Sequence, residues 1–390
     1  MPDWQVPLSA VRLTEADLEA AVEVYRSGWL SMGPRTEELE SAFAEYAGSA
    51  HCLAVSSCTA GLHMAMSAAG LGPGDEAIVP SITFVASANA VAYTGARPVF
   101  AEIAAVDRPW LSPETAERAT TSETKAIVAV SYAGHPGEID GLEQLAEDRG
   151  LTLIEDAAHG SGSWLGDRHL GTFGVAGAIS FSAGKNLGVG EGGVLLTDDD
   201  ALAERARLMR WHGITRSIWE RHRASTESYE VAGLGFNYRI DDARAALARS
   251  RLRRLDEDNR HRAALASVYR DVLGELDGLS LLAAPPESAR ISNSTFAVVL
   301  DEGVDRDAFR DSLAQSGIQT SVHFSPVHRF ELYADSRAEL PVADAFAART
   351  VSLPMFPEME EGQQAQVIEA VRRALARRSA GLRGGLEGRE

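Results

Sequence analysis

The sequence predicts an α/β fold, with a large domain built on a mostly parallel central sheet covered by helices and a smaller α+β domain after it. Two observations predict this fold. Through the first two-thirds of the chain, short apolar runs alternate with segments of helical period. From about Asp241 the pattern changes to a long Arg-rich helical stretch followed by mixed elements. With 390 residues, 45% of them hydrophobic, the chain is long and apolar enough for a buried core.

The predicted strands of the large domain are short apolar runs bounded by turn residues. In chain order they occupy residues 51–57, 76–79, 98–102, 124–130, 151–155, 178–181 and 194–197. Helical patterns fall between them at 59–69, 83–93 and 142–149. Strands that alternate with helices are typical of a parallel sheet that is buried on both faces.

The last third of the chain predicts the small domain. Residues 241–269 have a continuous helical period and predict one long connecting helix. After it come a strand at 295–300, a helix near 305–315, a further segment at 319–323 and a helix at 362–377. We therefore expect a large domain at 1–245, whose N-terminal segment packs on the small domain, the connecting helix and small domain at 246–378, and a flexible Gly-rich tail at 379–390.

The composition argues against several classes of function. The 37 basic and 56 acidic residues give a net charge of −19, which disfavours binding to nucleic acid or to anionic membranes. The most apolar window, 77–96, contains Pro80 and Asn89 and is a poor membrane span, and the start of the chain lacks the features of a signal peptide. Cys52 and Cys58 give neither a zinc pattern nor a disulfide framework, so no metal site is predicted. We expect a cytoplasmic protein.

Lysine is nearly absent, since the chain has only Lys125 and Lys185. A guanidinium is always protonated, whereas an amine can lose its proton and form a Schiff base, so a lysine kept in an Arg-rich chain is a candidate for chemistry. Lys125 precedes an apolar strand and is interpreted as an edge or solvated residue. Lys185 lies in a glycine-rich loop that lets a bulky ligand approach, although an ordinary turn lysine is the alternative. A P-loop is excluded, because Asn186 and Ser180 stand where that motif requires Ser or Thr and Gly.

Two further features accompany Lys185. Asp156 ends a strand at the sheet edge where doubly wound folds bind ligands, while Glu155 should point to the opposite side. The Asp156 carboxylate could bind a metal, a ribose or a protonated ring nitrogen, or it could cap a helix. Residues 57–59 (SCT) begin a helix whose free N–H groups can bind phosphate, or they are a plain cap. Together, an amine, a strand-end carboxylate and a phosphate cup fit pyridoxal phosphate, which a dehydrogenase or an NTPase would not explain.

From about Val6 to Ile368 the chain resembles the DegT/DnrJ/EryC1/StrS family of sugar aminotransferases, which are fold-type-I pyridoxal-phosphate enzymes. The motifs that carry the resemblance include SSCTAGLH (56–63), IEDAAHGSGSWLG (154–166), SFSAGKNLGVGEGG (180–193) and GFNYRIDDARAAL (235–247). The resemblance implies that Lys185 is the catalytic Schiff-base lysine, that Asp156 pairs with the pyridinium nitrogen, and that Phe84, otherwise a core candidate, stacks on the ring. It further implies cofactor contacts from Cys58, Thr59, His159 and Ser180, and substrate contacts from Trp29, Arg239 and His328. Asn237 matches a phosphate ligand that the partner subunit supplies, which implies a homodimer with shared active sites.

The resemblance also implies a reaction. One branch of the family has His in place of the lysine and dehydrates sugars, so Lys185 favours transamination. We expect a ping-pong transfer from an amino acid, L-glutamate, to a nucleotide-linked 4-keto-6-deoxy sugar. The anionic diphosphate would need local cations, for which the candidates are Arg216, Arg221, Arg223 and Arg239. The alternatives are a keto-inositol or other cyclic ketone as acceptor, a pyridoxal-phosphate-dependent sugar dehydratase, and a regulatory or binding protein on the same fold.

Overall fold

A seven-stranded sheet forms the centre of the computed structural model, which describes residues 4–215, 229–336 and 338–384. Its strands are β1 (His51–Val55), β2 (Glu76–Pro80), β3 (Arg97–Ala101), β4 (Thr124–Val130), β5 (Thr152–Asp156), β8 (Ala176–Ser180) and β9 (Gly193–Thr197). They lie in the order β1-β9-β8-β5-β4-β2-β3. The five strands from β8 to β3 are parallel, and β9 runs antiparallel to both of its neighbours. Six strands therefore end at one edge, which confirms the predicted, mostly parallel sheet.

Helices cover both faces of this sheet. In chain order they are α1 (Glu15–Ser27), α2 (Pro34–Ala47), α3 (Cys58–Ala68), α4 (Ala86–Tyr93), α5 (Pro113–Ala119), α6 (Ile139–Arg149), α7 (Asp200–Arg210) and α8 (Asp242–Leu252). Buried residues of α3, α4 and α7 form one apolar cluster with the sheet, and those of α2, α5, α6 and α8 form another on the opposite face. The predicted strands and helices of this region are confirmed to within a few residues at their ends.

Helix α3 is almost entirely buried, and its small residues let it pack closely on the sheet. Ser57 caps its N-terminus, because the Ser57 side chain accepts a hydrogen bond from the Ala60 N–H. A Cβ added at Gly61 would lie 3.2 Å from the Ala178 Cβ on β8, so the helix lies close against that strand. The N-terminus of α3 is thereby fixed beside the end of β8.

A second sheet contains β10 (Leu279–Leu281), β12 (Phe296–Leu300) and β13 (Thr350–Leu353), all antiparallel. It packs with α9 (Leu255–Leu273), α10 (Arg306–Gln315) and α12 (Glu361–Gly384), whereas α11 (Pro341–Arg349) contacts the core of the central sheet. Val6 is fully buried in this second core and pairs with Ile318, so the N-terminal segment packs here. The domain boundaries at 245 and 378 stay predictions.

The predicted connecting helix is wrong as one piece, because it is broken between α8 and α9. Arg254 has non-helical backbone angles, and its guanidinium bridges Asp17 on α1 and Asp258 on α9 at 2.9 and 3.3 Å. These partly buried ion pairs hold the turn between the two helices, and a helical period in the sequence gives no sign of them. Residues 319–323 form one isolated bridge, from Ser321 to Ser352, rather than a strand.

A third, small sheet was not predicted either. It pairs β6 (Trp164–Leu165) with β7 (Arg168–His169) and with β11 (Ala289–Arg290). Each of these strands has two residues, too few to show a period. Across the described ranges, no helix combines the length and the apolar character needed to cross a membrane.

Candidate active site

A cavity of about 410 Å³ opens at the carboxyl edge of the central sheet, where β1, β5 and β8 end. The turn after β1 leads into α3, β5 ends at Asp156, and the turn after β8 carries Lys185. Seven of the eight residues predicted to contact a cofactor line this cavity, and the eighth, Asn237, does not. The seven are Cys58, Thr59, Phe84, Asp156, His159, Ser180 and Lys185. The fold thus brings together residues that are more than 120 positions apart in sequence.

The Asp156 carboxylate is buried, with 5% of the residue exposed. It accepts hydrogen bonds from the Ser87 hydroxyl at 2.5 Å and from the Ala158 N–H at 3.1 Å. Burial raises its pKa above the usual range, while Ser87, Ala158 and the nearby Lys185 ammonium act in the opposite direction. A buried carboxylate of this kind favours a cationic partner in the cavity, such as a protonated ring nitrogen.

The Lys185 amine faces the same cavity and interacts with Asp156. Burial lowers its pKa, and the charges of Asp156 and Cys58 only partly oppose this. A lowered pKa makes the neutral amine, which is both nucleophile and base, more accessible. Lys125, by contrast, is exposed on β4, as the sequence predicted for a solvated residue.

The N-terminus of α3 forms one end of the cavity. The Ser57 side chain accepts a hydrogen bond from the Ala60 N–H. The N–H groups of Cys58 and Thr59 lie in the first turn of the helix, where N–H groups have no intrahelical acceptor. A Cβ at Gly193 would lie 2.9 Å from the Cys58 nitrogen, so glycine is needed where β9 begins beside this turn. Ser180 ends β8 in the same cavity. Free amides at the positive end of a helix dipole suit a phosphate group.

His159 presents a neutral imidazole to the cavity. Its Nδ1 accepts a hydrogen bond from the Ala133 N–H at 3.1 Å, so the ring proton of the neutral form lies on Nε2. Burial lowers the pKa of His159 well below its usual value, and the positive charges of Lys185 and His323 act in the same direction. His159 is therefore an uncharged hydrogen-bond donor at physiological pH.

Phe84 lies on the rim of the cavity rather than in the core, and 59% of it is exposed. Its ring centroid is 6.1 Å from that of Phe324, which lines the cavity together with His323. Neither His323 nor Phe324 was predicted as a site residue, whereas His328, from the same HFSPVH segment (323–328), was. His328 is fully buried, with its Nδ1 2.6 Å from the Ser81 hydroxyl, so it does not line the cavity. Proximity in sequence to His328 was the one available signal for His323.

The predicted contacts Trp29, Asn237 and Arg239 lie outside this cavity. Asn237 is exposed, and its Oδ1 accepts a hydrogen bond from Arg239 Nε at 2.9 Å. The Arg239 guanidinium lies 4.4 Å from the centroid of the Trp211 ring. Trp29 lies in the turn between α1 and α2, against Gly33. Arg216, Arg221 and Arg223 fall outside the described residues.

The cavity fits pyridoxal phosphate on its own geometry. At one end of the cavity, the N-terminus of α3 has free N–H groups that could bind the phosphate. The buried Asp156 carboxylate could pair with a protonated ring nitrogen. An amine with a lowered pKa and an exposed aromatic ring complete the set. The described residues contain no cluster of three or more His, Cys, Asp or Glu side chains that could hold a metal ion.

Solved structures of similar fold include aminotransferases. The aminotransferase TlmJ from Streptoalloteichus hindustanus is 35% identical, with 96% of this chain and 98% of that chain covered and a TM-score of 0.88. The PLP-form of the putative sugar aminotransferase Spr1654 from Streptococcus pneumoniae is 25% identical, with coverage of 95% and 99% and a TM-score of 0.89. The fold and the site define a pyridoxal-phosphate-dependent aminotransferase of fold type I.

Sequence comparison gives the family. The family model described as the DegT/DnrJ/EryC1/StrS aminotransferase family matches residues 11–372. The spore coat polysaccharide biosynthesis protein SpsC of Bacillus subtilis (strain 168) is 37% identical over 378 residues, which are 94% of this chain and 96% of that protein. The chain belongs to the DegT/DnrJ/EryC1/StrS aminotransferase family, and the predicted resemblance and cofactor are confirmed.

Proposed function

We propose that this enzyme transfers an amino group from L-glutamate to the keto group of a nucleotide-linked keto-deoxy sugar. The observation that carries the proposal is the meeting of the Lys185 amine, the Asp156 carboxylate and the α3 N-terminus in one cavity of about 410 Å³. Sugar aminotransferases among the structural neighbours, and a relative named for polysaccharide biosynthesis, support a sugar as acceptor.

Each group in the cavity has a proposed task. Pyridoxal phosphate, when bound, supplies a protonated pyridine ring that accepts the electron pair left at the donor's Cα. The N–H groups of Cys58 and Thr59, with Ser180, bind its phosphate. Asp156 holds the proton on its ring nitrogen, and Ser87 and the Ala158 N–H orient that carboxylate. Lys185 would bind the cofactor covalently between turnovers, and its freed amine would take the proton from the donor's Cα and deliver it to the cofactor carbon.

The neutral side chains of the cavity orient the two substrates. His159 offers its Nε2 proton as a hydrogen-bond donor, and Phe84 places an aromatic face against the cofactor ring. A nucleotide diphosphate on a protein of charge −19 requires local cations. We assign this task to Arg239 and to the predicted candidates Arg216, Arg221 and Arg223.

We further propose a homodimer in which Asn237 of each protomer reaches the cavity of its partner. Asn237 does not line the cavity of its own chain, and its exposed side chain is available to a second copy. A cytoplasmic location is part of the proposal and is compatible with two buried, unpaired thiols, Cys52 and Cys58.

The test follows the nitrogen through both halves of the reaction. Glutamate added to the purified holoenzyme without acceptor should change the absorbance of the bound cofactor and release one equivalent of 2-oxoglutarate per site. A nucleotide-linked 4-keto-6-deoxy sugar should then restore the initial spectrum. If only a keto-inositol restores the spectrum, the acceptor is a cyclic ketone rather than a nucleotide-linked sugar. If the sugar loses water and takes up no nitrogen, the enzyme is a dehydratase.

A further inference from the structure

The residue after Lys185 points away from the cavity into the protein interior. Asn186 is 3% exposed, and its Nδ2 donates hydrogen bonds to Asn259 Oδ1 at 2.7 Å and to the Ser292 carbonyl oxygen at 2.8 Å. Asn259 lies on α9, and Ser292 lies in the segment between β11 and β12. The turn that carries the reactive amine is therefore joined to two distant parts of the chain.

The orientation of the Asn186 amide follows from its partners. Asn259 Nδ2 donates to the Ser161 carbonyl oxygen at 3.0 Å, so Asn259 Oδ1 faces Asn186. The Ser292 carbonyl oxygen can only accept. Both neighbours of Asn186 therefore require a donor, and a reversed amide would set an oxygen against two oxygens. Ala or Leu in place of Asn186 would leave two buried acceptors without this donor.

A second contact holds the main chain of the same turn. Arg251 on α8 is 5% exposed, and its guanidinium donates to the carbonyl oxygens of Gly188 and, at 3.4 Å, of Asn186. The Lys185 carbonyl oxygen accepts from the Gly188 N–H at 2.9 Å, and the Lys185 N–H donates to Ser182 at 2.9 Å. The backbone N–H and carbonyl oxygen of Lys185 are thus both bonded within the same turn, whose main chain Arg251 holds from the interior.

We infer that Asn186 is a positioning residue: with Asn259 and Arg251, it fixes the turn so that the Lys185 amine stays inside the cavity beside Asp156. The side chains of Lys185 and Asn186 leave opposite sides of one tight turn. Cavity chemistry and interior anchoring are therefore coupled through a single backbone segment. The inference rests on the proposed role of Lys185, but the position of the amine can be measured without turnover.

The chain itself offers the probe, because Lys125 and Lys185 are its only lysines. The full-length protein, stripped of pyridoxal phosphate, is labelled with trace acetic anhydride over a range of pH, and both lysines are quantified by mass spectrometry. Exposed Lys125 is the internal reference for the reagent. The dissociation constant of pyridoxal phosphate, measured by absorbance titration, is the second readout.

Asn186→Ala should let the turn move and the amine reach water. Burial lowers the pKa of Lys185, so the midpoint of its labelling should shift to higher pH in this variant, with Lys125 unchanged. The dissociation constant should rise about tenfold, as expected for the loss of buried hydrogen bonds. Asn259→Ala, which keeps the bond to Ser292, should give smaller changes in the same direction and serves if Asn186→Ala does not fold.

The control is Tyr269→Phe, which removes a buried hydrogen bond to Pro354 in the second core and touches nothing in the turn. It should change neither readout. A folded Asn186→Ala with wild-type labelling and affinity would overturn the inference, as would equal shifts in Tyr269→Phe. A labelling shift in a protein that never binds pyridoxal phosphate would support the positioning role while rejecting the proposed function.

Discussion

The cavity wall at the sheet edge and the segment that carries Asn237 differ in how far the chain completes them. We define the inner wall as four residues that line the cavity: Asp156, His159, Lys185 and His323. Asp156 and His159 are buried, and each has hydrogen-bond partners within the chain. In the outer strip, which we define as residues 229–239, Leu234 is 95% exposed and Asn237 is exposed as well. The chain therefore completes by itself the part of the site to which we assign the chemistry, and it leaves open the part that we assign to a partner subunit.

The largest effect is expected when the Lys185 amine of the inner wall is replaced. Lys185→Arg keeps a positive charge but removes a group that can lose its proton, so turnover should fall by a factor on the order of 10³ or more. The absorbance of covalently held cofactor should disappear as well. Lys125→Arg, at an exposed site on β4, is the matched control and should retain both. An active Lys185→Arg enzyme would remove this residue from the proposed mechanism.

The second largest effect is expected when the Asp156 carboxylate is replaced by an uncharged side chain of nearly the same shape. Asp156→Asn can still accept from the Ala158 N–H but cannot hold a proton on a ring nitrogen, so kcat should fall by about 10²-fold. The spectrum of the bound cofactor should change in parallel. Asp242→Asn alters an equally buried carboxylate that caps α2 through Gly33 and Thr36. That variant should lose stability and keep its spectrum; matching spectra in the two variants would contradict the role of Asp156.

A mixing experiment sharpens the comparison between the two regions. Asn237→Asp would place a negative charge where we expect a phosphate, so this variant and Lys185→Arg should each have low activity. After subunit exchange of equal amounts, about a quarter of the sites should combine a native Lys185 with a native Asn237 of the other protomer. Activity should therefore rise to about a quarter of the wild-type value. Activity that stays at the mean of the two parents would place the whole site within one chain.

The smallest expected effect is a pH dependence of stability in the inner wall. Burial lowers the pKa of His323 to about 4, and Lys185 acts in the same direction. Between the ordinary histidine value, about 6.5, and about 4, the unfolded chain binds a proton that the folded chain does not. The contribution of neutral His323 is thus full above pH 6.5 and is lost as the pH falls towards 4. The free energy of unfolding, measured in urea at several pH values, should fall less steeply with acid for His323→Asn than for the wild type. Equal pH dependence in the two proteins would refute the assignment.

The sequence was most informative where one residue type carries one kind of chemistry. Lys185 stood out because lysine is so rare in this chain, and Asp156 stood out because it ends an apolar strand. Residues 57–59 stood out as a helix start that could bind phosphate or be a plain cap, and the structure shows that Ser57 caps the helix. Local patterns of this kind also placed the strands of the central sheet.

The sequence was least informative where a residue's role depends on distant partners. His323 and His328 lie five positions apart in one segment, and only the packed structure shows which imidazole faces the cavity. Asn186 served in the sequence analysis only to exclude a P-loop, because its partners at 259 and 292 are remote in sequence. The break at Arg254 depends likewise on Asp17, more than 230 positions earlier.

The reversed direction of β9 has a consequence for how the site assembles. Because β9 is antiparallel to β8, the chain returns from the Lys185 turn directly, without the crossover helix that a parallel neighbour would need. Residues 181–192 close a hairpin whose loop entropy is small compared with that of the contacts from 259 and 292. We expect this hairpin to form early in folding. The turn that carries Lys185 should become rigid later, when α9 packs against it. We therefore expect the site to assemble from the Lys185 hairpin outward.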